Sequence, residues 1–295
     1  MSLTVSEAIK LNSYSNFRLI AGHRGLNRAI ERVGFLDWEV VPQTDDKYPQ
    51  TKASFVEGEF ALCSMLFAKD HPERILDAVK ILERNRLSGL AVKNIYYNEL
   101  PEEVIRFADE KAFPIFIFHS TYFEDIMTET TDKIRSIGNS NLLESKIDLL
   151  IKANLNKTVI RDIALEINRS FQESFLVVYA KGKRDTSNLM ILNRAEEIRK
   201  DRTFKPCDTV ARYQNGLLFI ATFEKLEPSQ MQMKAESLLR MIKADPEEYY
   251  IGISNLHTNL NELGAGINES LSAEKSGEVF PGGSVYFKDI GADPF

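Results

Sequence analysis

The chain has 295 residues, of which 43% are hydrophobic and 27% charged, and its net charge at pH 7 is −6. This length predicts about two domains, and the composition excludes collagen-like chains, largely disordered chains and disulfide-rich miniproteins. Cys63 and Cys207 lack metal-binding spacing and are typical of a reducing compartment, so we expect a cytoplasmic protein without a disulfide. No apolar run is long enough for a membrane span, and the first residues do not resemble a secretory signal.

The negative charge is spread over the whole chain. Residues 1–140 carry a net charge of −4, and the remaining residues carry −2. Neither part has the basic excess that binding to a phosphate backbone requires. We therefore expect the chain itself to bind duplex DNA weakly.

The first part of the chain predicts an α/β domain with a parallel sheet. A capping box at Thr4-Val5-Ser6-Glu7 predicts a short helix over 5–12. Apolar runs predict strands at 16–21, 30–36, 60–66, 88–93 and 113–118, and amphipathic segments predict helices at 71–86, 101–111 and 121–136. A polar segment at 45–52 predicts a loop. Apolar strands that alternate with helices are typical of a parallel sheet covered on both faces.

The segment Gly138-Asn139-Ser140-Asn141 predicts a break in this pattern and a domain boundary. Two apolar-striped helices are expected after it, at 142–155 and 158–169. They form either a packed helical hairpin or a signalling and dimerising connection between domains. The expected organisation is an N-terminal domain at 1–140, linker helices at 141–171 and a C-terminal domain at 172–295.

The last third of the chain has a different pattern of elements. Asn215-Gly216 between two apolar runs predicts a hairpin of strands 209–214 and 217–223, because both turn residues tolerate positive φ. Further strands are expected at 174–180, 249–254 and 284–287, and helices at 191–201, 229–243 and 259–275. The order βαββαβ, with a final helix and strand, predicts a ferredoxin-like α+β domain of the kind used by nucleotide cyclases. The expected fold class is therefore α/β, with a parallel-sheet domain followed by a ferredoxin-like domain.

The motifs of common enzymes are absent from the sequence. The four histidines, His23, His71, His119 and His257, are not spaced as metal ligands, and there is no GxSxG, GxxxxGK[ST] or GxGxxG. The hairpin, where diguanylate cyclases carry Gly-Gly-Asp/Glu-Glu-Phe, reads Gln214-Asn215-Gly216-Leu217-Leu218 and lacks their metal-binding carboxylates. We therefore expect no catalytic residue, metal or cofactor, and no cyclase activity.

Polar residues follow three of the strands predicted for the first domain. Ligands of doubly wound sheets bind beyond the carboxyl ends of the strands, where helix N-termini point. The candidate binding residues at these ends are Ser64, Lys93, Asn94, His119, Ser120 and Thr121. A capping box at Thr121-Tyr122-Phe123-Glu124 would open a helix there, and its N-terminus with Lys93 would favour a carboxylate, ureide or phosphate. The alternative is an ordinary capped loop with a solvated lysine.

The segments Ala21-Gly22, Gly25-Leu26-Asn27-Arg28 and Val33 resemble the motif AGxxGLxRxVxxV. This motif is the opening of the PucR family, bacterial transcriptional regulators of purine catabolism, so these segments resemble that family. Further segments with this resemblance are Glu57-Gly58-Glu59-Phe60-Ala61-Leu62, Ser88-Gly89-Leu90-Ala91-Val92-Lys93, Leu100-Pro101, Ala108-Asp109 and Phe113-Pro114-Ile115. The segments 250–254, 259–276 and 285–291 resemble the degenerate GGDEF-like domain of the same family.

The resemblance implies the effector-sensing and signal-relay part of a transcriptional regulator, acting as a homo-oligomer such as a dimer. Its small-molecule effector would be a purine-degradation product or another nitrogenous metabolite. In the family a helix-turn-helix domain follows, so DNA would be bound only through a segment that this chain lacks. Leu62-Cys63-Ser64-Met65 departs from the Thr-Thr-Gly segment of the family, which implies a different ligand. The alternative is a small-molecule or nucleotide-processing enzyme that uses the crevice near His119.

Overall fold

The structure is a computed structural model that describes residues 2–36, 55–152, 154–279 and 283–290. The chain divides into two compact units, Met1–Gly138 and Asn139–Phe295. The loop predicted at 45–52 lies outside the described residues. None of the described helices combines the length and the apolar character that crossing a membrane requires.

The described residues of the first unit form short strands and four α-helices. Its strands are β1 (Leu3–Thr4), β2 (Phe17–Ala21), β3 (Ala29–Ile30), β4 (Arg32–Phe35), β5 (Glu59–Cys63), β6 (Gly89–Lys93) and β7 (Ile115–Phe118). Its helices are α1 (Val5–Ala8), α2 (Glu73–Arg84), α3 (Glu102–Glu110) and α4 (Phe123–Lys152), the last of which continues into the second unit. The helix predicted over 5–12 is shorter than expected, and the Glu7 carboxylate accepts the Thr4 N–H at 2.9 Å as a capping box requires.

The main sheet of this unit has the order β2–β7–β6–β5–β4. Strands β4 to β7 are parallel neighbours in chain order, which confirms the predicted alternation, whereas β2 pairs with β7 in the antiparallel direction. Because each crossover steps one strand in the same direction, right-handed connections place α2 and α3 on the same face. The antiparallel edge strand did not follow from the sequence pattern.

Both faces of this sheet are covered, as predicted. On one face, alternate strand residues such as Leu90 form a buried cluster with Val79 of α2 and Val104 of α3. The other face carries aromatic side chains, and the ring centroids of Phe60 and Phe116 lie 6.2 Å apart. A 2.8 Å hydrogen bond between the hydroxyls of Tyr14 and Thr130 of α4 closes this second face.

Helix α4 is continuous from Phe123 to Lys152. The predicted break at Gly138-Asn139-Ser140-Asn141 is therefore wrong at the level of secondary structure. A glycine inside a helix costs about 1 kcal/mol relative to alanine, and this cost is small beside the burial of apolar side chains such as Ile147 and Leu150. Turn-forming residue types do not end a helix whose later turns are held in a core.

The part of the second unit that the structure describes contains the last turns of α4, four further α-helices and five strands. The helices are α5 (Lys157–Ile167), α6 (Asn188–Arg199), α7 (Met231–Ile242) and α8 (Leu263–Val279). The strands are β8 (Ser174–Gly182), β9 (Thr209–Tyr213), β10 (Gly216–Phe223), β11 (Tyr249–Ile253) and β12 (Ser284–Tyr286). Helix α6 begins earlier than predicted, because the Ser187 side chain caps it by accepting the Met190 N–H.

The sheet of the second unit has the order β12–β11–β8–β10–β9. The four strands of the βαββαβ unit pair in the antiparallel direction, and β12 is added parallel to β11. This is the strand order of a ferredoxin-like fold, so the α/β fold class predicted from the sequence is confirmed. One face packs on α6 and α7, and the opposite face packs on α5, α8 and the last turns of α4.

The hairpin of β9 and β10 is present, but its turn lies one residue earlier than predicted. Gly216 pairs with Tyr213, so the turn residues are Gln214 and Asn215, and Gln214 has a φ of 48°. Gly216 belongs to the strand, where a Cβ would lie 2.7 Å from the Tyr179 ring. The glycine is therefore required by close packing rather than by the turn.

Candidate functional site

The candidate binding residues lie along the carboxyl edge of the first sheet. The parallel register pairs Lys93, the last residue of β6, with Phe118, the last residue of β7. The Asn94 N–H donates to the Phe118 carbonyl at 3.0 Å. This hydrogen bond holds together the segments that follow β6 and β7. The structure therefore brings Lys93 and Asn94 next to the segment His119–Ser120–Thr121, as expected for adjacent parallel strands.

The Lys93 ammonium lies over two aromatic rings. Its Nζ is 5.5 Å from the Tyr122 ring centroid and 5.2 Å from that of Phe123. Each contact of this type contributes about 0.5–1 kcal/mol at an exposed site. The lysine is half-buried, and these two rings hold its ammonium near the start of α4. It is therefore not a freely solvated side chain.

The exit from β7 is a tight turn rather than a helix cap. The Thr121 N–H donates to the His119 carbonyl at 2.8 Å, and Ser120 between them has a φ of 66°. Helix α4 begins at Phe123, so the capping box predicted to start at Thr121 places the helix two residues too early. His119 and Ser120 are exposed at this turn. A serine at positive φ is a sparsely populated backbone state, and such states are enriched at binding sites.

Ser64 follows β5 at the same edge, but it is buried. The next residue, Met65, has a φ of 63° and donates its N–H to the Cys63 sulfur at 3.1 Å. The Tyr97 phenol, in the segment after β6, donates to the Ala68 carbonyl, in the segment after β5. This hydrogen bond joins the two segments. Burial raises the pKa of the Tyr97 phenol, which keeps it a neutral donor. Ser64 is thus placed beneath the edge, and Lys93, Asn94 and the exposed turn form its surface.

Sequence reasoning missed the apolar part of this edge. Four large side chains after β5, β6 and β7 are substantially exposed, namely Leu66 at 48%, Ile95 at 56%, Tyr96 at 39% and Tyr122 at 68%. Lys69 Nζ lies 5.6 Å from the Tyr96 ring centroid, which repeats the arrangement of Lys93 over Tyr122. Apolar residues within short loops after strands are the signal that could have identified them. Two lysine–tyrosine pairs beside exposed apolar side chains are suited to a planar, anionic molecule.

The Gly22-His23-Arg24-Gly25 segment has a structural role in this unit. Gly22 has a φ of 74°, and a Cβ there would lie 2.0 Å from the Phe113 carbonyl oxygen. The Gly22 N–H donates to the Asp109 carboxylate at 2.7 Å, and Arg28 donates to the Leu87 and Lys111 carbonyls. The segment therefore holds the edge of the sheet against the end of α3.

Candidate metal ligands are dispersed in the part of the chain that the structure describes. Within it, no three His, Cys, Asp or Glu side chains are grouped so that they could hold a metal ion. The turn of the β9–β10 hairpin presents Gln214 and Asn215, whose side chains are amides.

Comparison with known proteins agrees with the first unit. Residues 7–134 match the model of the PucR family, described as the purine catabolism regulatory protein-like family. This part of the chain is therefore similar to the PucR family. The purine catabolism regulatory protein of Bacillus subtilis (strain 168) is 25% identical to this chain over 114 residues. That alignment spans 38% of this chain and only 20% of the relative.

The matched residues include every candidate binding residue and the first turns of α4. The resemblance seen in the segments from Ala21 to Ile115 is thereby confirmed for this part of the chain. The match does not extend into the ferredoxin-like unit.

Proposed function

We propose that this chain is the effector-sensing and signal-relay part of a bacterial transcriptional regulator of the PucR type. The observation that carries the proposal is the start of α4 at the candidate site. Phe123, the first residue of the helix, contacts the Lys93 ammonium, and the same continuous helix supplies Ile147 and Leu150 to the core of the second unit.

The effector would bind at the carboxyl edge of the parallel sheet. Lys93 and Lys69 supply positive charge, and Tyr122 and Tyr96 supply flat apolar surfaces beside them. Asn94 and the exposed turn at His119 add hydrogen-bonding groups. This combination favours a small, planar carboxylate, ureide or phosphate over a cation. A purine-degradation product or another nitrogenous metabolite fits that description and the name of the B. subtilis relative.

Signal relay would proceed through α4. A ligand changes a conformational equilibrium only when it binds one arrangement more tightly than another. Lys93 and the rings of Tyr122 and Phe123 contact each other, so a ligand that takes the ammonium from these rings changes the environment of the first turn of α4. The helix carries that change along its length to the second unit.

The second unit would be a degenerate GGDEF-like domain without cyclase activity. Its ferredoxin-like strand order and the amide residues Gln214 and Asn215 at the hairpin turn support this proposal. The net charge of this chain is −6, which disfavours binding to a phosphate backbone. DNA recognition would therefore come from a helix-turn-helix segment beyond residue 295. The regulator would act as a homodimer. The enzyme alternative has less support, because His119 is exposed and forms no ion pair with a carboxylate among the described residues.

The test is a thermal-shift screen of nitrogenous carboxylates, ureides and phosphates with the full chain, followed by calorimetric titration of whichever compound stabilises it. A ligand at 100 times its Kd adds about 2.7 kcal/mol of stability. We expect Lys93→Ala to weaken binding about tenfold, equivalent to about 1.4 kcal/mol. Lys80→Ala, at an exposed lysine on α2, is the matched control and should leave the affinity unchanged.

Two further measurements complete the test. Hydrogen exchange should show altered protection along α4 when the ligand binds the wild type, and no alteration in the Lys93→Ala variant. If Lys93→Ala and His119→Ala both leave the affinity unchanged, the effector binds elsewhere and the proposed site is wrong.

A further inference from the structure

Two carboxyl groups of α8 share one lysine of β8. The Lys181 ammonium donates to the Glu278 carboxylate at 2.5 Å and lies 3.9 Å from Glu274 Oε1. Glu278 is exposed, whereas the Glu274 side chain is only 4% exposed, and its Oε1 has no hydrogen-bond partner among the described residues. We call these three residues the Glu274 cluster. With both carboxyls ionised, the cluster would hold one uncompensated negative charge in a largely buried position, which is unfavourable.

The titratable groups that face Glu274 from the sheet do not supply a compensating positive charge. The Tyr179 phenol of β8 donates to the Tyr213 carbonyl at 3.2 Å, so its proton is already engaged. Burial raises the pKa of this phenol, which therefore stays neutral. Tyr250 of β11 lies directly opposite Lys181 in the sheet register and is another phenol.

The helices bring one solvated cation and further negative charge. Lys275 follows Glu274 on α8, but it is exposed, so water weakens the effect of its charge. Glu278 lies one helical turn after Glu274, and Glu144 of α4 adds its negative charge near Tyr179. The buried carboxyl is therefore most stable in its protonated form. Its pKa agrees, since burial and the charge of Glu278 raise it to about 7.

The backbone of α8 contacts the sheet directly at this carboxyl. A Cβ at Gly252 of β11 would lie 2.3 Å from the Glu274 nitrogen and 2.0 Å from the Ser270 carbonyl oxygen. Such a close approach of helix and strand leaves no space for water between them. An ionised Glu274 therefore gains full hydration only when this part of α8 moves away from β11.

We propose that the Glu274 cluster is a proton-controlled contact that holds residues 270–279 of α8 against the sheet. With Glu274 protonated, the single negative charge of Glu278 is matched by Lys181, and the helix stays packed. Loss of the Glu274 proton to water adds a second negative charge, so these turns of α8 separate from β11 more often. The contact strengthens on acidification and weakens as the pH rises towards 7. This proposal does not depend on the effector site at Lys93.

The test is hydrogen exchange of the full chain from pH 5 to pH 8, measured by mass spectrometry and corrected for the intrinsic pH dependence of exchange. We expect protection of the amides at 270–279 to fall by about tenfold or more between pH 5 and pH 7 and then to level off. The reason is that Glu274 ionises near its ordinary pKa of 4.5 when the helix is detached and near 7 when it is packed.

Two variants and a control identify the group responsible. Glu274→Gln keeps a neutral side chain of the same shape at every pH, so it should abolish the fall in protection. Glu278→Gln, at an exposed position, removes the competing negative charge and leaves Lys181 to Glu274, so it should reduce the fall. Glu236→Gln, at an exposed carboxylate of α7 on the opposite face of the sheet, is the matched control and should retain the wild-type fall.

The amides of β10 report opening of the whole unit, and they should not lose protection in parallel with 270–279. Lys93→Ala should leave the pH dependence unchanged, which separates this contact from the proposed effector site. The proposal is overturned if the wild type shows no fall in protection, or if Glu274→Gln retains it. It is also overturned if β10 shows the same fall as α8.

Discussion

Glu144 of α4 accepts hydrogen bonds from the guanidinium of Arg212 and, at 2.9 Å, from the backbone N–H of Gln214. Arg212 is the penultimate residue of β9, and its side chain is only 5% exposed. The Glu144 carboxylate therefore supplies the counter-charge of the buried Arg212 and also accepts a backbone N–H from the turn of the hairpin. The same stretch of the helix contacts the hairpin again through Asp148, which accepts the Tyr213 phenol at 2.8 Å.

We expect Glu144→Ala to destabilise the second unit by about 2–4 kcal/mol, because it leaves Arg212 buried without its counter-charge. Chemical denaturation of the full chain, followed by a probe in the second unit, measures this loss. Glu227→Ala removes the exposed partner of Lys225 in the same unit and should cost less than about 0.5 kcal/mol. Equal effects of the two substitutions would show that the Glu144 contact is not special.

The Gly22 position tests the structural role of the Gly22-His23-Arg24-Gly25 segment. Alanine there would need a φ of 74° and would place its Cβ 2.0 Å from the Phe113 carbonyl oxygen. We expect Gly22→Ala to destabilise the first unit by about 2–4 kcal/mol, since a strained backbone is combined with a clash against a main chain that cannot move aside. Thermal unfolding monitored by circular dichroism measures the change, and an unchanged Tm would contradict the assigned role.

Gly138 provides the opposite case within α4. A Cβ there meets no atom within 4 Å, and the residue is exposed in the middle of the helix. We expect Gly138→Ala to stabilise the protein by about 0.5–1 kcal/mol, because alanine loses less backbone entropy on forming a helix. A loss of stability would contradict the placement of Gly138 in the interior of a continuous helix, and would favour the break that the sequence predicted at 138–141.

The pH dependence of stability should show the effect of the raised pKa of the Glu274 carboxyl, on α8. Burial, reinforced by the negative charge of Glu278, raises the pKa of the Glu274 carboxyl from 4.5 to about 7, and Lys181 opposes this shift. The folded state therefore holds a proton that the unfolded state has released between about pH 4.5 and 7, so this group costs stability as the pH rises through that range. We expect Glu274→Gln to gain stability relative to the wild type between pH 5 and pH 8. Parallel stability curves for the two proteins over this range would contradict the assignment.

Gly216 allows the packing role of the hairpin glycine to be separated from a turn role. We expect Gly216→Ala to cost about 2–3 kcal/mol, because the added Cβ would lie 2.7 Å from the Tyr179 ring and 2.8 Å from the Ala180 carbonyl oxygen. Asn215→Gly, within the actual turn, should change stability by no more than about 0.5 kcal/mol. If Asn215→Gly has the larger effect, the turn lies where the sequence placed it.

Local sequence patterns determined most of the secondary structure and the parallel direction of most strands in the first sheet. The apolar runs at β5, β6 and β7, separated by amphipathic segments, were sufficient to predict parallel neighbours with polar residues at one edge. This succeeds because hydrophobic periodicity reports which face of a strand or helix is buried, and short crossovers leave few possible topologies. Lys93 and His119 were placed at the same edge by that reasoning alone.

Tertiary packing decided the features on which the proposals depend. Helix α4 runs through Gly138 because its later turns are buried with Leu150, and the hairpin turn shifts by one residue because Gly216 must lie against Tyr179. The aromatic surface around Lys93 also could not be derived from the sequence. It depends on residues far apart in the chain and on how much of each side chain its neighbours leave exposed. Local propensities differ by about 1 kcal/mol per residue or less, so the burial of a few large side chains in a core overrides them.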